Sequence, residues 1–409
     1  MKNRILSMIV AWALASRAFA MSVETDHTWY LAGESMKVNV KAENTLIAYA
    51  ELCDTQGMAA GVVVSLKGGE GTGVIELPSD LHSGYYVLSV YTRHNAEVDQ
   101  QLVAVVNPLR KSTNDDIEWV KLADPESDSF ATSELTPNDT FLLPPVTIPV
   151  DEREIEGHII KARVKNTVYS ASQICASVSI VGKQIHYFEG KMVNDSMAVF
   201  YTYGINGKQP LVLSAVTTTG VNLPIEVVSP FATLTPKELP HLVFHYKRSE
   251  VEARSLDMQR HQNQMEMAAA PAVTPDYDET VFGTKPDLSY NLDEYRQFRT
   301  IREVLVEYVS CVSSRKIDGV QKLIVRKEQD RYVTFLPTLV LIDGMPVSNV
   351  ERLLNYDARR IHYINVYGGQ YTFGNVVYNG ILTFVTRSGQ LTNYPTEPNM
   401  QYLVYEFPQ

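Results

Sequence analysis

Cysteine is scarce in this sequence: Cys53, Cys175 and Cys311 are the three in 409 residues. An odd number at wide separations gives neither a metal spacing nor a disulfide framework. The reading is three buried free thiols, with one bridge and a leftover thiol as the alternative in an oxidising compartment. Basic charge is also short. Lys and Arg total 36 against 47 Asp and Glu, a formal net charge of -11, so no basic field exists for phosphates and no nucleic-acid partner is expected. Past the first twenty residues no apolar run could cross a hydrocarbon layer of ~30 Å, and no transmembrane span is expected. A G-x-S-x-G elbow, a Walker loop and a dinucleotide fingerprint are missing too. With no legible set of acid, base and nucleophile, the chain reads as non-enzymatic: no catalytic, cofactor-binding or metal residue is assigned, and no cofactor.

What is present points to strands and export. Tyrosine numbers 23 against 13 phenylalanines, which suits half-buried strands with a polar rim. The length predicts two to four domains, each able to bury its own core. Lys2 and Arg4 precede the short apolar stretch Ile5 to Ala15, and Ala18-Phe19-Ala20 completes a signal-peptide pattern with cleavage after Ala20. From Thr25 to Asn107, short apolar runs alternate with Gly, Pro, Asn and Asp. Met36 to Ala42, Ala48 to Cys53, Gly61 to Leu66, Gly73 to Leu77, Tyr85 to Thr92 and Gln101 to Val106 read as strands of a β-sandwich. Strands return between Phe141 and Phe231, and a second sandwich is the economical reading. Residues 109–140 read as a polar linker. Residues 236–292 read as a linker or partly helical connector, charged and Gln/Met-rich over Val251 to Met267.

The final segment mixes helix and strand signals. Thr300-Ile-Arg-Glu303 has the capping-box form, and Ile301, Val304, Leu305, Tyr308 and Val309 share one helical face. Gly319 to Lys327 and Tyr332 to Leu336 read as strands. Thr338 to Ile342 is an uninterrupted apolar strand that runs into Asp343-Gly344, a pair suited to a tight turn. Ser348-Asn-Val-Glu351 reads as the cap of a short helix bearing Leu353 and Leu354. Ile361 to Tyr367 is the next strand, closed by Gly368-Gly369, and Asn379-Gly380 turns into the strand Ile381 to Thr386.

Two family resemblances attach to these residues. Tyr30-Leu-Ala-Gly33-Glu34, with Leu77-Pro78 through Ser83-Gly84-Tyr85-Tyr86 to Thr92, resembles the macroglobulin-like sandwich domains of Bacteroidetes-type envelope proteins. Leu341 to Val347, Ile361 to Gly369, Phe373-Gly374 and Asn379 through Gly389 resemble the plug domain of TonB-dependent outer-membrane receptors. The second resemblance covers about the last quarter of the chain. No barrel is expected with it, since a spanning strand needs about 9–11 alternating residues and the segment after Gly389 is a short tail. Together the two imply an exported protein, periplasmic or outer-membrane associated.

The expected fold is therefore mainly β and multidomain. Two immunoglobulin-like or macroglobulin-like sandwiches (21–108 and 141–235) follow a signal peptide (1–20), and a small α+β plug-like domain (293–409) closes the chain. The expected function is non-enzymatic: an interaction or scaffold module whose plug-like domain docks an outer-membrane or periplasmic protein, such as a barrel-containing receptor. The alternative is a soluble binder of glycan or peptide.

Several local patterns compete with bland explanations. His241 and His245 stand four apart, as in helical zinc sites, but without the adjoining Glu and within a strand-like run. Cys53 and Gln56 have thioester spacing, although a turn from Asp54 to Gly57 accounts for them. Gly68 to Gly73 is glycine-rich but opens no helix, so it reads as a hairpin loop. Asp115-Asp116 and Asp276, Asp278 and Glu279 could take calcium or could be solvated linker acids. The tyrosines from Tyr367 to Tyr378 form either a binding face or core packing.

Overall fold

The computed structural model describes residues 21–122, 134–135, 141–165, 168–182, 185–268, 282–317, 319–326, 336–373, 376–391 and 394–409. The leader pattern over residues 1–20, the acids Asp276, Asp278 and Glu279, and nearly all of the strand expected over 332–336 lie outside these. The protein is mainly β and is built as three units.

The first unit holds β1 (Ser22–Thr25), β2 (Trp29–Leu31), β3 (Ser35–Lys41), β4 (Ile47–Cys53), β5 (Met58–Ser65), β6 (Glu70–Glu76), β7 (Gly84–Tyr91) and β8 (Val98–Val106). Two sheets, β1-β3-β6 and β2-β8-β7-β4-β5, face each other as the sandwich that the macroglobulin resemblance implied. Val38, Val40, Leu52, Val62, Tyr86, Leu88 and Val103 fill the space between them. β3 alternates buried and open positions, as a strand with one wet face must. β4 and β7 are buried along their whole length, so the second face of their sheet is covered as well.

Ile148, Phe231 and Leu234 cover it at β4, and over β2, β7 and β8 the cover comes from segments whose composition suggests linkers. β9 (Ile117–Lys121) and β10 (Glu134–Leu135) flank β17 (Leu242–Tyr246) in a small sheet, with β9 parallel to β17. Leu242 and Phe244 pack on Trp29, Leu31, Tyr85 and Val106. α1 (Arg248–Ala268) follows directly and buries Val251 in the same cluster. Polarity alone suggests loose arms. The apolar alternation of Leu242 and Phe244 supplies the burial that polarity conceals.

The second unit contains β11 (His158–Val164), β12 (Ile174–Ile180), β13 (His186–Asn194), β14 (Met197–Thr202), β15 (Gly207–Thr217) and β16 (Ile225–Val227). The strand order is β16-β11-β14-β13-β12-β15-β25. β13 pairs with β12 over His186 to Gly190 and with β14 from Lys191 onward, with a register shift between Met192 and Asn194 within the second pairing. A strand that changes partners midway lets one sheet fold over its own core. The seventh strand, β25 (Gln401–Phe407), comes from beyond the third unit and lies antiparallel to β15.

The third unit is α+β. It comprises β18 (Leu288–Asn291), α2 (Ile301–Glu307), the hairpin β19 (Val312–Ile317) and β20 (Val320–Val325), β21 (Leu339–Ile342), β22 (Met345–Pro346), α3 (Val350–Leu354), β23 (Ile361–Phe373) and β24 (Val376–Thr386). The sheet runs β18-β23-β24-β21-β22, with β21 parallel to β24. α2 and α3 cover one face through Ile301, Val304, Leu305, Leu353 and Leu354 against Val340, Ile342, Leu382 and Phe384. Leu339, Leu341, Tyr367 and Ile381 turn to the other face, against Ile185 and Tyr187 of the second unit. β21 has no polar alternation because neither of its faces meets water.

Local chemistry sets the ends of these elements. Thr300 caps α2 with the reciprocal Thr300–Glu303 pair that its sequence announces. At α3 the cap is Asn349, whose side chain accepts from Arg352 N–H, and not Ser348; the Ser348 hydroxyl instead donates to Glu397 at 3.0 Å. Gly368-Gly369 does not close β23 but forms a bulge within it, since Tyr367 opposes Ile381 and Gln370 opposes Asn379. Asn379-Gly380 likewise lies inside β24. A side chain at Gly380, φ 81°, would meet Val325 Cβ at 2.7 Å, so close backbone approach explains this glycine.

Candidate functional site: buried junctions between the units

The charged groups most withdrawn from water collect where units meet. Glu154 precedes β11 and is 1% exposed. Its carboxylate accepts from the Tyr49 hydroxyl at 2.7 Å and from Ile159 N–H at 2.7 Å. Arg93 of the first unit lies 3.5 Å away, donates to the Ile159 carbonyl at 2.7 Å, and stacks over the Tyr49 ring. His158 Nδ1 stands 3.1 Å from Glu154, and its Nε2 stands 2.7 Å from the Tyr405 hydroxyl of β25. This geometry assigns a neutral imidazole that donates from Nδ1 and accepts at Nε2. Both units and the returning strand thus meet on one carboxylate–imidazole pair.

The electrostatics agree with that assignment. Burial pushes His158 below its ordinary value, more strongly than the Glu154 contact raises it. Burial would raise Glu154, but the bonds from His158, Arg93 and Ile159 N–H hold it below the usual carboxylate range.

A second junction ties the segment leaving β16 back to the first unit. Glu51, fully buried on β4, accepts from the Tyr91 hydroxyl at 3.0 Å, from Thr233 N–H at 3.0 Å and from Leu234 N–H. Phe231 lies edge-on against Tyr49. A third is Arg254 of α1, which pairs with Glu34 at 2.6 Å and sits 3.9 Å over the Trp29 ring.

The fourth joins the second and third units. Asp343 and Gly344, at φ 46° and 91°, make the two-residue turn between β21 and β22. The Asp343 carboxylate accepts from Thr386 N–H at 2.7 Å and from Leu391 N–H at 2.9 Å, while its carbonyl accepts from Gly182 N–H at 3.0 Å. A Cβ on Gly344 would fall 2.7 Å from the Ile180 carbonyl, so this turn docks on the loop after β12. Along the same seam the Tyr187 hydroxyl donates to Glu189 at 2.8 Å, and the Tyr378 hydroxyl lies 3.4 Å from the same oxygen. Burial raises the Glu189 carboxyl to about 7.

The residues singled out by sequence distribute as follows across this geometry. Tyr367 and Tyr378 are buried in the seam with Ile185 and Tyr187, so the tyrosine run is junction packing and not an open face. His241 and His245 sit on or beside β17, and His241 pairs with Asp116. Asp115 accepts from Ser83 N–H at 2.7 Å and from Ser112 N–H at 2.8 Å. Asp54 accepts from the N–H groups of Gln56 and Gly57, which is the turn expected there. Gly68 and Gly69 adopt φ 64° and 86° beside a Lys67–Glu70 bridge. The three cysteines are free thiols; burial raises Cys53 to about 12 and Cys175 to about 11. Among the described residues no group of three His, Cys, Asp or Glu is placed to hold a metal, and no helix is long and apolar enough to cross a membrane.

Sequence reasoning does not single out Glu51, Glu154, His158, Glu189 or Tyr405. The strand pattern carries one usable signal: a charged residue inside an otherwise apolar strand, as Glu51 is in β4, needs a buried partner. On the outer side of the third unit, an open cleft of about 500 Å³ is bounded by Arg352, Asn355, Tyr356, Asp357, Arg360 and Pro395.

No family model matches the chain, and no curated protein matches it. Among solved structures it is similar to Escherichia coli alpha-2-macroglobulin activated by porcine elastase, at 11% identity and a TM-score of 0.20, over 53% of this chain and 20% of that one. It is similar to Salmonella alpha-2-macroglobulin reacted with methylamine at 11% and 0.19, over 51% and 14%. Fibronectin(III)-like modules of Clostridium thermocellum CbhA match at 8% and 0.14, over 55% and 95%. The chain spans a fifth or less of the two macroglobulins' length. The sandwich assignment rests on the strand pairing described above.

Proposed function

We propose that this chain is a non-catalytic interaction protein of the cell envelope, whose two sandwiches hold a plug-like third unit in a fixed pose for a periplasmic or outer-membrane partner. One observation carries the reading: the deeply buried carboxylates Glu51 and Glu154 bind segments of another unit, and neither lines the outer cleft. Charge placed this way fixes an arrangement, because removing either partner would leave the other uncompensated in a dry site. The resemblance of Leu341 to Gly389 to receptor plugs supports the choice of partner class. The outer cleft is the contact face: Arg352 and Arg360 line it together with Asp357, and Arg352 pairs with Glu397 at 3.4 Å, so it presents mixed charge to a polar partner surface.

The glycan- or peptide-binding alternative relies on the tyrosine run, whose end members Tyr367 and Tyr378 are buried in the seam. Crosslinking in intact cells, followed by recovery of the chain, tests the proposal. An envelope protein is expected among the products, and its yield should fall severalfold with Arg360→Glu, whose site is exposed. Recovery of no envelope protein, or equal recovery with the variant, would remove the support for this face.

A further inference from the structure

The second unit takes its seventh strand from the far side of the third. β25 pairs with β15 over seven positions, from Gly207 opposite Phe407 to Leu213 opposite Gln401. Tyr405 and Phe407 are buried in the core of the second unit with Phe188, Phe200 and Leu211, and Leu403 packs against it. Tyr402 and Val404 alternate outward and remain 37% and 69% exposed. The strand therefore reads as an extended ligand with aromatic side chains at alternate positions seated on a sheet edge, the geometry of strand addition.

Its neighbours extend that contact to every unit. Gln409 continues onto β5 of the first unit: its N–H donates to the Val63 carbonyl at 3.0 Å, and its carbonyl accepts from Ser65 N–H at 3.0 Å. Tyr405 closes the His158–Glu154 junction. The Tyr402 hydroxyl accepts from Glu397 N–H at 2.9 Å and reaches Met345 Sδ of β22 at 3.2 Å. The lead-in at Pro398 and Asn399 is exposed, with Asn399 in the left-handed region at φ 68°.

We propose that the β15 edge is a strand-binding site, filled here by the chain's own residues 401–409, and that its occupancy rather than chain continuity clasps the three units together. The site takes an extended peptide with aromatics two apart, the inner one able to donate a hydroxyl to His158. This inference stands independently of the envelope role. Covalent attachment gives the resident strand a high effective concentration, so a free peptide competes poorly with it until the resident strand is weakened.

The test uses the full chain carrying Tyr405→Ala together with Phe407→Ala, titrated with a fluorescent peptide of sequence 401–409. Saturable binding by the variant is expected, at least tenfold tighter than by the unaltered chain. A peptide with Ala at both positions should bind neither. A folded variant that does not take up the peptide overturns the proposal. Should the variant fail to fold, the unaltered chain with a protease site at Asn399 replaces it. After cutting, the 400–409 fragment should stay bound and exchange with labelled peptide. Loss of the fragment without exchange is the contrary result.

Discussion

Glu154 and Glu189 are carboxylates largely removed from water, yet their surroundings drive them in opposite directions. Glu154 has cationic and N–H partners and stays ionised, whereas the partners of Glu189 are tyrosine hydroxyls, too weak to offset burial. The consequences for stability differ in sign. His158 is held below its ordinary 6.5, so its folded form disfavours the proton, and stability is lost as pH falls through that value. Glu154 adds a further loss as pH falls through its depressed value. Glu189 titrates near 7 instead of its ordinary 4.5, so its junction is weakened as pH rises between those values. Glu189→Gln, which stays uncharged, should melt above the parent at about pH 8 and level with it at about pH 5. Compared with the parent, His158→Gln should lose less stability as pH falls from about 7 to 5, because the His158 contribution is gone while that of Glu189 is unchanged. Melting temperatures across pH decide both, and curves parallel to the parent's would refute the assignment.

At the scale of elements, apolar runs report burial faithfully while punctuation misleads. The strands of the first unit are legible because β3 alternates and β4 and β7 do not, one pattern for a wet face and the other for two dry ones. The α2 cap is legible because the capping box is wholly local. Gly368-Gly369 and Asn379-Gly380 have the composition of strand ends, yet both lie within strands, because a bulge and a close approach to Val325 demand glycine as a turn does. The Asp343 carboxylate serves local hydrogen bonding, while the Asp343 carbonyl and Gly344 dock the turn on the loop after β12. Gly344→Ala, at φ 91° and with Ile180 O in the way, should cost about 1–3 kcal/mol. The cost should appear chiefly as loosened contact between the second and third units. Hydrogen exchange checks this: faster exchange is expected at Gly182 N–H as well as in β22, and a change confined to β22 would contradict the docking role.

For the whole molecule, pairing between distant segments is the part that composition and local pattern cannot supply. Gln401 to Phe407 alternates in burial, but in sequence Tyr402 to Tyr405 is an unbroken apolar run in what reads as a short tail, and nothing local names β15, which lies on the far side of an entire unit, as its partner. The same holds for β9 and β17, which have the look of linker because each is short and becomes apolar only on one face. The junction residues are hidden for a related reason: Glu51 and Glu154 gain meaning from Tyr91 and Arg93, far along the chain, and although His158 is only four residues from Glu154, nothing local marks that pair as buried. Once assembled, these contacts make the units interdependent: the Glu154–Arg93 and Glu34–Arg254 pairs leave a charge unpaired if a partner departs, and the other junctions leave buried hydrogen-bonding groups unmet.

Calorimetric unfolding of the full chain at neutral pH tests that interdependence most directly. Coupled units predict one transition, with the calorimetric enthalpy equal to the van't Hoff enthalpy. Two or three resolved transitions in the unaltered chain would mean that each unit unfolds alone, and that the buried junctions do not hold them as one body.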